Sequence, residues 1–318
     1  MKLVILDGHA VNPGDLSWKC LEQFGEVAVY DRTEIADTIA HIGDAEIVLV
    51  NKTPLTEEIF AACPSIRAVF VLATGYNVVD CQAAAKRNIP VCNVPGYGTA
   101  AVAQFTFALL LELCHQVGQH NGAVHAGKWT NCGHFCYWET PQMELAGKTM
   151  GIIGFGRIGQ AVGKIAKAFG MNVIAYSRTE YPEGQQIAEY VSLDTLLRRA
   201  DVISLHCPLF PETAGIINAD TLSIMKDSVI ILNTARGQLV NEADLAQALS
   251  SGKVRGAAVD VVSAEPIQQN NPLLSAPNCI ITSHMAWAPI ESRQRIIDMT
   301  VDAIAGFLSG KPIHVVNL

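Results

Sequence analysis

An α/β protein with two doubly wound parallel-sheet domains is predicted by three features of the chain. Short β-branched runs, "KLVILD", "EIVLVN", "AVFVLAT", "TMGIIGFG", "NVIAYS", "DVISLH", "SVIILNT", "GAAVDV" and "CIITSH", alternate with helical stretches. Runs that are apolar throughout suit strands covered on both faces by helices, which is the parallel arrangement. The runs fall into two blocks, and 318 residues, 50% of them hydrophobic, suffice for two cores.

The first block opens with "MKLVILDGHA", whose apolar stretch ends at Asp7. It is too short for a signal-peptide core and reads as a strand. The block closes at "NVPGYGT", and a helical segment from about Ala100 to Gln119 follows. Its apolar part, "AAVAQFTFALLLELC", is interrupted by Gln104 and closed by Glu112. That falls short of the ~20 residues that cross a bilayer, so no membrane partner is expected. The same stretch is more apolar than one helix face needs, which favours a partner copy of the chain. "FCYWETPQMELAGK", with Pro141 and no clear period, reads as a connecting loop before the second block begins near Lys148. A final helix, "ESRQRIIDMTVDAIAGFLSG", follows the last strand.

Charge and cysteine usage narrow the function classes. A net charge of −8 argues against a nucleic-acid partner, because phosphate backbones are held by clustered Lys and Arg. The 9 cysteines are irregularly spaced without a CxxC pair, as expected of reduced thiols in a cytoplasmic protein. Cys132, His134 and Cys136 lie close together but lack a second ligand pair at zinc-like spacing, so no metal is expected.

The sharpest local signal is "GIIGFGRIGQAVGKIAKAFGMNVIAYSR", where Gly154, Gly156 and Gly159 form GxGxxG between a strand and a helix. The first glycine allows the tight turn and the second lets backbone approach a pyrophosphate. The third lets helix and strand pack closely, and the helix N-terminus favours the phosphates. A dinucleotide cofactor is expected. The second strand ends near Ser177, followed by Arg178 and Thr179, where an NAD site usually offers a carboxylate to the ribose 2′-hydroxyl. Serine and arginine would accept a 2′-phosphate, so NADP(H) is favoured and NAD(H) remains open. In the alternative reading Arg178 is a solvated surface residue and Glu180 serves the ribose.

Ligands of such sheets collect outside the carboxyl ends of the strands. Those ends carry His206, Cys207 and Pro208 after "DVISLH", Arg236 after "SVIILNT", Glu265 after "GAAVDV", and His284 after "CIITS", with Asp260 inside its strand. Singly, each has a structural explanation. Together, beside a nicotinamide fingerprint, they suit reduction of a 2-keto acid. An imidazolium protonates the carbonyl oxygen as hydride arrives, a carboxylate keeps the ring charged, and a guanidinium fork holds the substrate carboxylate.

"GFGRIG", "NTARGQLVNEADL", "AVDVVSAEP", "SHMAWA" and "NVPGYGTAAVAQFTFALLLEL" resemble the D-isomer-specific 2-hydroxyacid dehydrogenases over nearly the whole chain, within them the glycerate dehydrogenase/hydroxypyruvate (glyoxylate) reductase branch. The resemblance implies a substrate domain of residues 1–99 and 290–318 with a flavodoxin-like sheet. It further implies a Rossmann domain of residues 100–289, a cleft between the two, and a homodimer. Carried over, Arg236 binds substrate, Glu265 pairs with His284, and His284 is the acid/base. Asp260 holds the nicotinamide carboxamide, supported by Thr234 and Ala235. Cys207 and Pro208 flank the adenosine, and Phe155, Arg157, Ile158, His206, Thr213 and Ala286 join the cofactor set. Thr74, Gly75 and Tyr76 of "ATGYN" meet the substrate carboxylate, and Lys52, at the end of an earlier strand, either lines the same pocket or is an exposed surface lysine. Trp138 resembles an aromatic that reaches a neighbouring subunit, with a local core role equally open. Two departures stand out: the acidic ribose residue is missing, and Ser283 replaces the commoner proline before the histidine. The expected reaction is reduction of hydroxypyruvate or glyoxylate. The alternatives are another D-2-hydroxy acid, less readily formate or phosphite, or a non-catalytic dinucleotide-sensing protein of the same fold.

Overall fold

The computed structural model describes residues 1–317 and divides into two compact units, residues 1–98 with the segment from Ala288 onward, and Thr99–Trp287. The first unit holds β1 (Lys2–Ile5), β2 (Glu26–Val29), β3 (Ile47–Val50), β4 (Ala68–Val71) and β5 (Val91–Cys92). They form a parallel sheet in the order β2-β1-β3-β4-β5, the flavodoxin-like winding. Every residue of the central β3 and β4 is buried, as strands covered on both faces require.

The second unit contains β6 (Thr149–Ile153), β7 (Asn172–Tyr176), β8 (Glu189–Tyr190), β9 (Val202–Leu205), β10 (Val229–Asn233), β11 (Val254–Val259) and β12 (Cys279–Ile281). Their order is β12-β11-β10-β9-β6-β7-β8, all parallel. The winding direction reverses at β6, whose neighbours are β7 and β9. This is the switch point outside which doubly wound sheets bind ligands.

Nine strand-like runs were legible in the sequence, and β2, β5 and β8 were not. All three lie at sheet edges. β5 and β8 have two residues each, and β2 is largely solvent-facing, so none offers a continuous apolar run. The helix expected over about 100–119 ends sooner. It spans Thr99–His115, Gln116 takes a left-handed φ of 46°, and a second helix, Val117–His125, leaves at 54°. No single helix among the described residues is long and apolar enough to cross a membrane. The apolar excess of the first helix is mostly internal: Ala103, Phe107, Leu109, Leu110 and Leu113 are buried within its own unit. Exposed large apolar residues lie farther along instead, at Val117, Val124, Trp129, Phe135 and Trp138. Trp138, 68% exposed, has no local core role.

The terminal helix Ile290–Leu308 packs on β4 of the first unit, Phe307 meeting Phe70 edge to face at 6.3 Å between ring centroids. The carboxyl edge of that sheet is organised by Asp7, just after β1. Its carboxylate accepts the backbone N–H of Asn51 (2.7 Å), Thr53 (2.9 Å) and Lys52. Asp7 is buried, so truncating it strands those donors. Asp7→Ala should therefore cost about 2–4 kcal/mol in denaturant titration. Breaking the exposed Lys2–Asp44 pair should leave the midpoint unmoved.

Candidate active site

The carboxyl ends of β10, β11 and β12 are adjacent, and each carries one of the three ionisable groups singled out in the sequence. Arg236 follows β10. Asn233, fully buried at the strand end, shapes the turn: its Oδ1 accepts the Ala235 N–H (3.0 Å) and its Nδ2 donates to the Arg236 carbonyl (2.9 Å). A Cβ on the next residue, Gly237, would overlap the Val262 carbonyl, so glycine lets this turn lie against the end of β11. The Arg236 side chain is exposed and donates to its neighbour's carbonyl, Ala235 O, at 2.7 Å. Among the described residues no carboxylate pairs with it.

Glu265 lies on the turn after β11. One carboxylate oxygen, Oε1, accepts the Val262 N–H (3.3 Å), and the other, Oε2, lies 2.7 Å from Nδ1 of His284. The turn is braced by Glu242, which accepts from Ser263 N and Oγ (both 2.7 Å) and from Asn271 Nδ2 (3.0 Å). His284 has a left-handed φ of 54°, a conformation uncommon for a residue with a Cβ. With Nδ1 engaged, Nε2 is the ring nitrogen without a hydrogen-bond partner among the described residues. Such a pair fixes ring orientation and tautomer.

Asp260 stands one residue past the end of β11, not inside the strand, and is 1% exposed. Its carboxylate accepts from Thr282 Oγ1 (2.6 Å), Met285 N (2.9 Å) and Ala286 N (2.8 Å), and its carbonyl accepts from His284 N (2.8 Å). The group that the resemblance sets against the nicotinamide thus turns both oxygens to the chain and grips the segment bearing His284. Trp287 adds a bond from its indole N–H to the His284 carbonyl (2.8 Å). Ala286 is buried beneath.

At the switch point, Gly154 has φ 92°, and a Cβ there would overlap the backbone of Cys207. Nothing lies within 4 Å of where a Cβ on Gly156 would stand, and a Cβ on Gly159 would strike the Gly154 carbonyl. The helix Arg157–Ala168 thus starts beside open space at Gly156, and the N–H groups of its first turn, Arg157 and Ile158 among them, lack acceptors within the helix, the arrangement that suits a diphosphate. The other residues assigned to the cofactor divide. Phe155 is fully buried, packed edge to face on Tyr190, so only its backbone can touch a ligand. Cys207 is buried, which pushes its thiol up to about 11, and Pro208 is exposed. Thr213 spends its hydroxyl on its own loop, bonding Pro208 O and Phe210 N, each at 2.8 Å. Thr234 Oγ1 lies 3.3 Å from Thr106 Oγ1. Ser177 and Arg178 follow β7, and Arg178 lies over the ring of Phe210.

In the first unit, Lys52 follows β3, and Thr74, Gly75 and Tyr76 follow β4, so both segments edge the same side of one sheet. Thr74 Oγ1 donates to Val94 O (2.9 Å), Asn93 Nδ2 donates to Thr74 O (2.7 Å), and Lys52 and Tyr76 are exposed. Asp7, Asn233 and Glu242, which hold these loops, carried no site signal in the sequence.

A family model described as "D-isomer specific 2-hydroxyacid dehydrogenase, NAD binding domain" matches residues 107–286. The chain belongs to that family. A hydroxypyruvate reductase of Blautia hydrogenotrophica is 58% identical over all of both chains, and a glycerate dehydrogenase of Methylorubrum extorquens is 37% identical over 99% of each. Among solved structures, an acyclic imino acid reductase in complex with NADPH and D-Arg superposes with a TM-score of 0.86 at 28% identity. That match covers 99% of this chain and 100% of the other. As a family member the protein is an oxidoreductase that uses a nicotinamide dinucleotide.

His206, after β9, is a second imidazole at this edge. Burial pushes it down to about 3, and its Nε2 lies 2.8 Å from Ser204 Oγ. A ring held neutral in the fold but ordinary when unfolded contributes stability above pH 6.5. That contribution is lost as pH falls from 6.5 toward 3, by about 1.4 kcal/mol per pH unit. Melting temperatures measured between pH 7 and 5 should fall, and His206→Gln should flatten the decline.

Proposed function

We propose that the protein reduces hydroxypyruvate to D-glycerate, and glyoxylate to glycolate, with NADPH preferred over NADH. The single observation that carries the chemistry is an exposed guanidinium after β10, paired with no carboxylate among the described residues, beside the ends of β11 and β12, which carry the hydrogen-bonded Glu265–His284 pair. The names of the hydroxypyruvate reductase and glycerate dehydrogenase relatives supply the substrate class. The glycine turn and the helix after it hold the diphosphate, and Ser177 and Arg178 receive the 2′-phosphate. When bound, the reduced nicotinamide supplies a hydride to C2 of the keto acid. His284 donates a proton from Nε2 to the keto oxygen as negative charge develops there. Glu265 keeps the ring oriented through Nδ1 and offsets its positive charge. Arg236 offers its planar fork to the substrate carboxylate and polarises the carbonyl. Asp260 acts through His284, by fixing the backbone that carries it. In the first unit, taken as the substrate domain, the N–H groups of Thr74, Gly75 and Tyr76 and the Lys52 side chain serve the substrate carboxylate.

The chain is taken to act as a homodimer in the cytoplasm. Its exposed Trp129, Phe135 and Trp138 form one apolar stretch suited to a second copy, and its nine cysteines are free thiols. Sedimentation of Phe135→Glu/Trp138→Glu should give half the native mass, and an unchanged mass would discard this surface as the dimer contact.

Steady-state rates over a panel of 2-keto acids, followed at 340 nm as reduced coenzyme is consumed, test the reaction. Hydroxypyruvate and glyoxylate should lead, and flat absorbance with both would refute it. Asparagine tolerates the left-handed backbone of residue 284, so His284→Asn isolates the chemistry. It should lower kcat roughly 100- to 10 000-fold with coenzyme binding retained. Arg236→Ala should lower kcat/KM by at least about tenfold through loss of a charge-assisted contact, and an effect on stability alone would make the residue structural.

A further inference from the structure

We infer that Phe210 is a specificity-determining positioning residue, holding the Arg178 guanidinium in place for the 2′-phosphate of the coenzyme; this rests on the NADPH preference proposed above. Arg178 lies two residues past β7 and Phe210 five past β9, on the strands that flank β6 and its glycine turn. The side chains meet from opposite sides of that turn, with the Arg178 Cζ 5.3 Å from the Phe210 ring centroid, within the range of a cation–π contact. No ion pair or hydrogen bond engages the guanidinium among the described residues, although Glu180 and Glu212 stand on the same two loops.

The contact suits a phosphate-binding role because of what it leaves unused. An aromatic ring attracts the cation without supplying an oxygen acceptor, so the N–H groups stay available for a bidentate anion. A carboxylate partner would consume those donors and oppose the incoming charge. The contact also limits the freedom of a long exposed side chain before coenzyme arrives, lowering the ordering cost of binding. The ring has a fixed support of its own. Thr213 Oγ1 accepts the Phe210 N–H at 2.8 Å and donates to Pro208 O at 2.8 Å, closing the loop on itself. Phe210 is 41% exposed, so its position cannot be explained by core packing alone.

The test uses the full chain and the dissociation constants of NADPH and NADH, read from nucleotide fluorescence, with their ratio as the measured quantity. Phe210→Leu keeps apolar bulk in the loop but removes the π face, and it should reduce the preference for NADPH about two- to fivefold. Phe210→Trp should restore it. In an Arg178→Met background, which itself should lower the preference tenfold or more, Phe210→Leu should have no further effect on the ratio. If Arg178→Met lowers the ratio and Phe210→Leu does not, the role of Phe210 is overturned while the 2′-phosphate reading stands. Equal weakening of both coenzymes by Phe210→Leu also overturns it, making the ring a surface for the adenine. An unmoved ratio in Arg178→Met overturns the NADPH reading and the inference with it.

Discussion

The site depends on one buried carboxylate. Asp260 receives two backbone N–H groups and one hydroxyl from residues 282–286 and binds His284 N through its own carbonyl. These bonds join the end of β11 to the segment after the neighbouring β12, and they stabilise the uncommon backbone of His284. An isolated buried carboxylate would be costly, and this one is satisfied by donors in fixed positions. Glu265 can then meet Nδ1 at 2.7 Å because the ring is already presented to it. The aligned histidine is thus a product of sheet order and one acidic anchor.

Two imidazoles at the same sheet edge show how environment divides roles between identical side chains. His206 is pushed toward the neutral form by burial, and its Nε2 lies 2.8 Å from the Ser204 hydroxyl. His284 instead faces a carboxylate and keeps a ring nitrogen open. A neutral buried ring supports the loop beside the glycine turn, whereas a ring paired with Glu265 is equipped to carry a proton. Chain position alone does not separate them, since both immediately follow or closely trail a strand end.

Much of this was legible in the sequence because its physical signals are local. Continuous apolar runs identify central strands, and GxGxxG after a strand identifies the turn at β6. Arg236, Glu265 and His284 stood out as unusual residue types at strand ends, and the fold brings those ends side by side. Edge strands escaped because they need little apolar surface, as β2, β5 and β8 illustrate. The supports escaped for a different reason. Asp7 and Glu242 act through hydrogen bonds to segments 21 to 46 residues away, and Asn233 through a local turn that its neighbours do not mark. The chain partners of Asp260 carry no signal in the sequence, because a strand-end carboxylate reads the same whatever donors the fold brings to it. Likewise the apolar helix Thr99–His115 suggested an outer surface when most of that surface is internal.

The discontinuity of the first unit has a consequence for synthesis. Residues 1–98 leave the ribosome first, yet the helix Ile290–Leu308 that covers β4 and the Asn317 amide oxygen that accepts Val91 N are made last. The intervening unit is one uninterrupted segment and can close its core while translation continues. Phe70 must wait for Phe307. During that interval the part of β4 that the last helix covers stays open, so the first unit is the later of the two to complete its core.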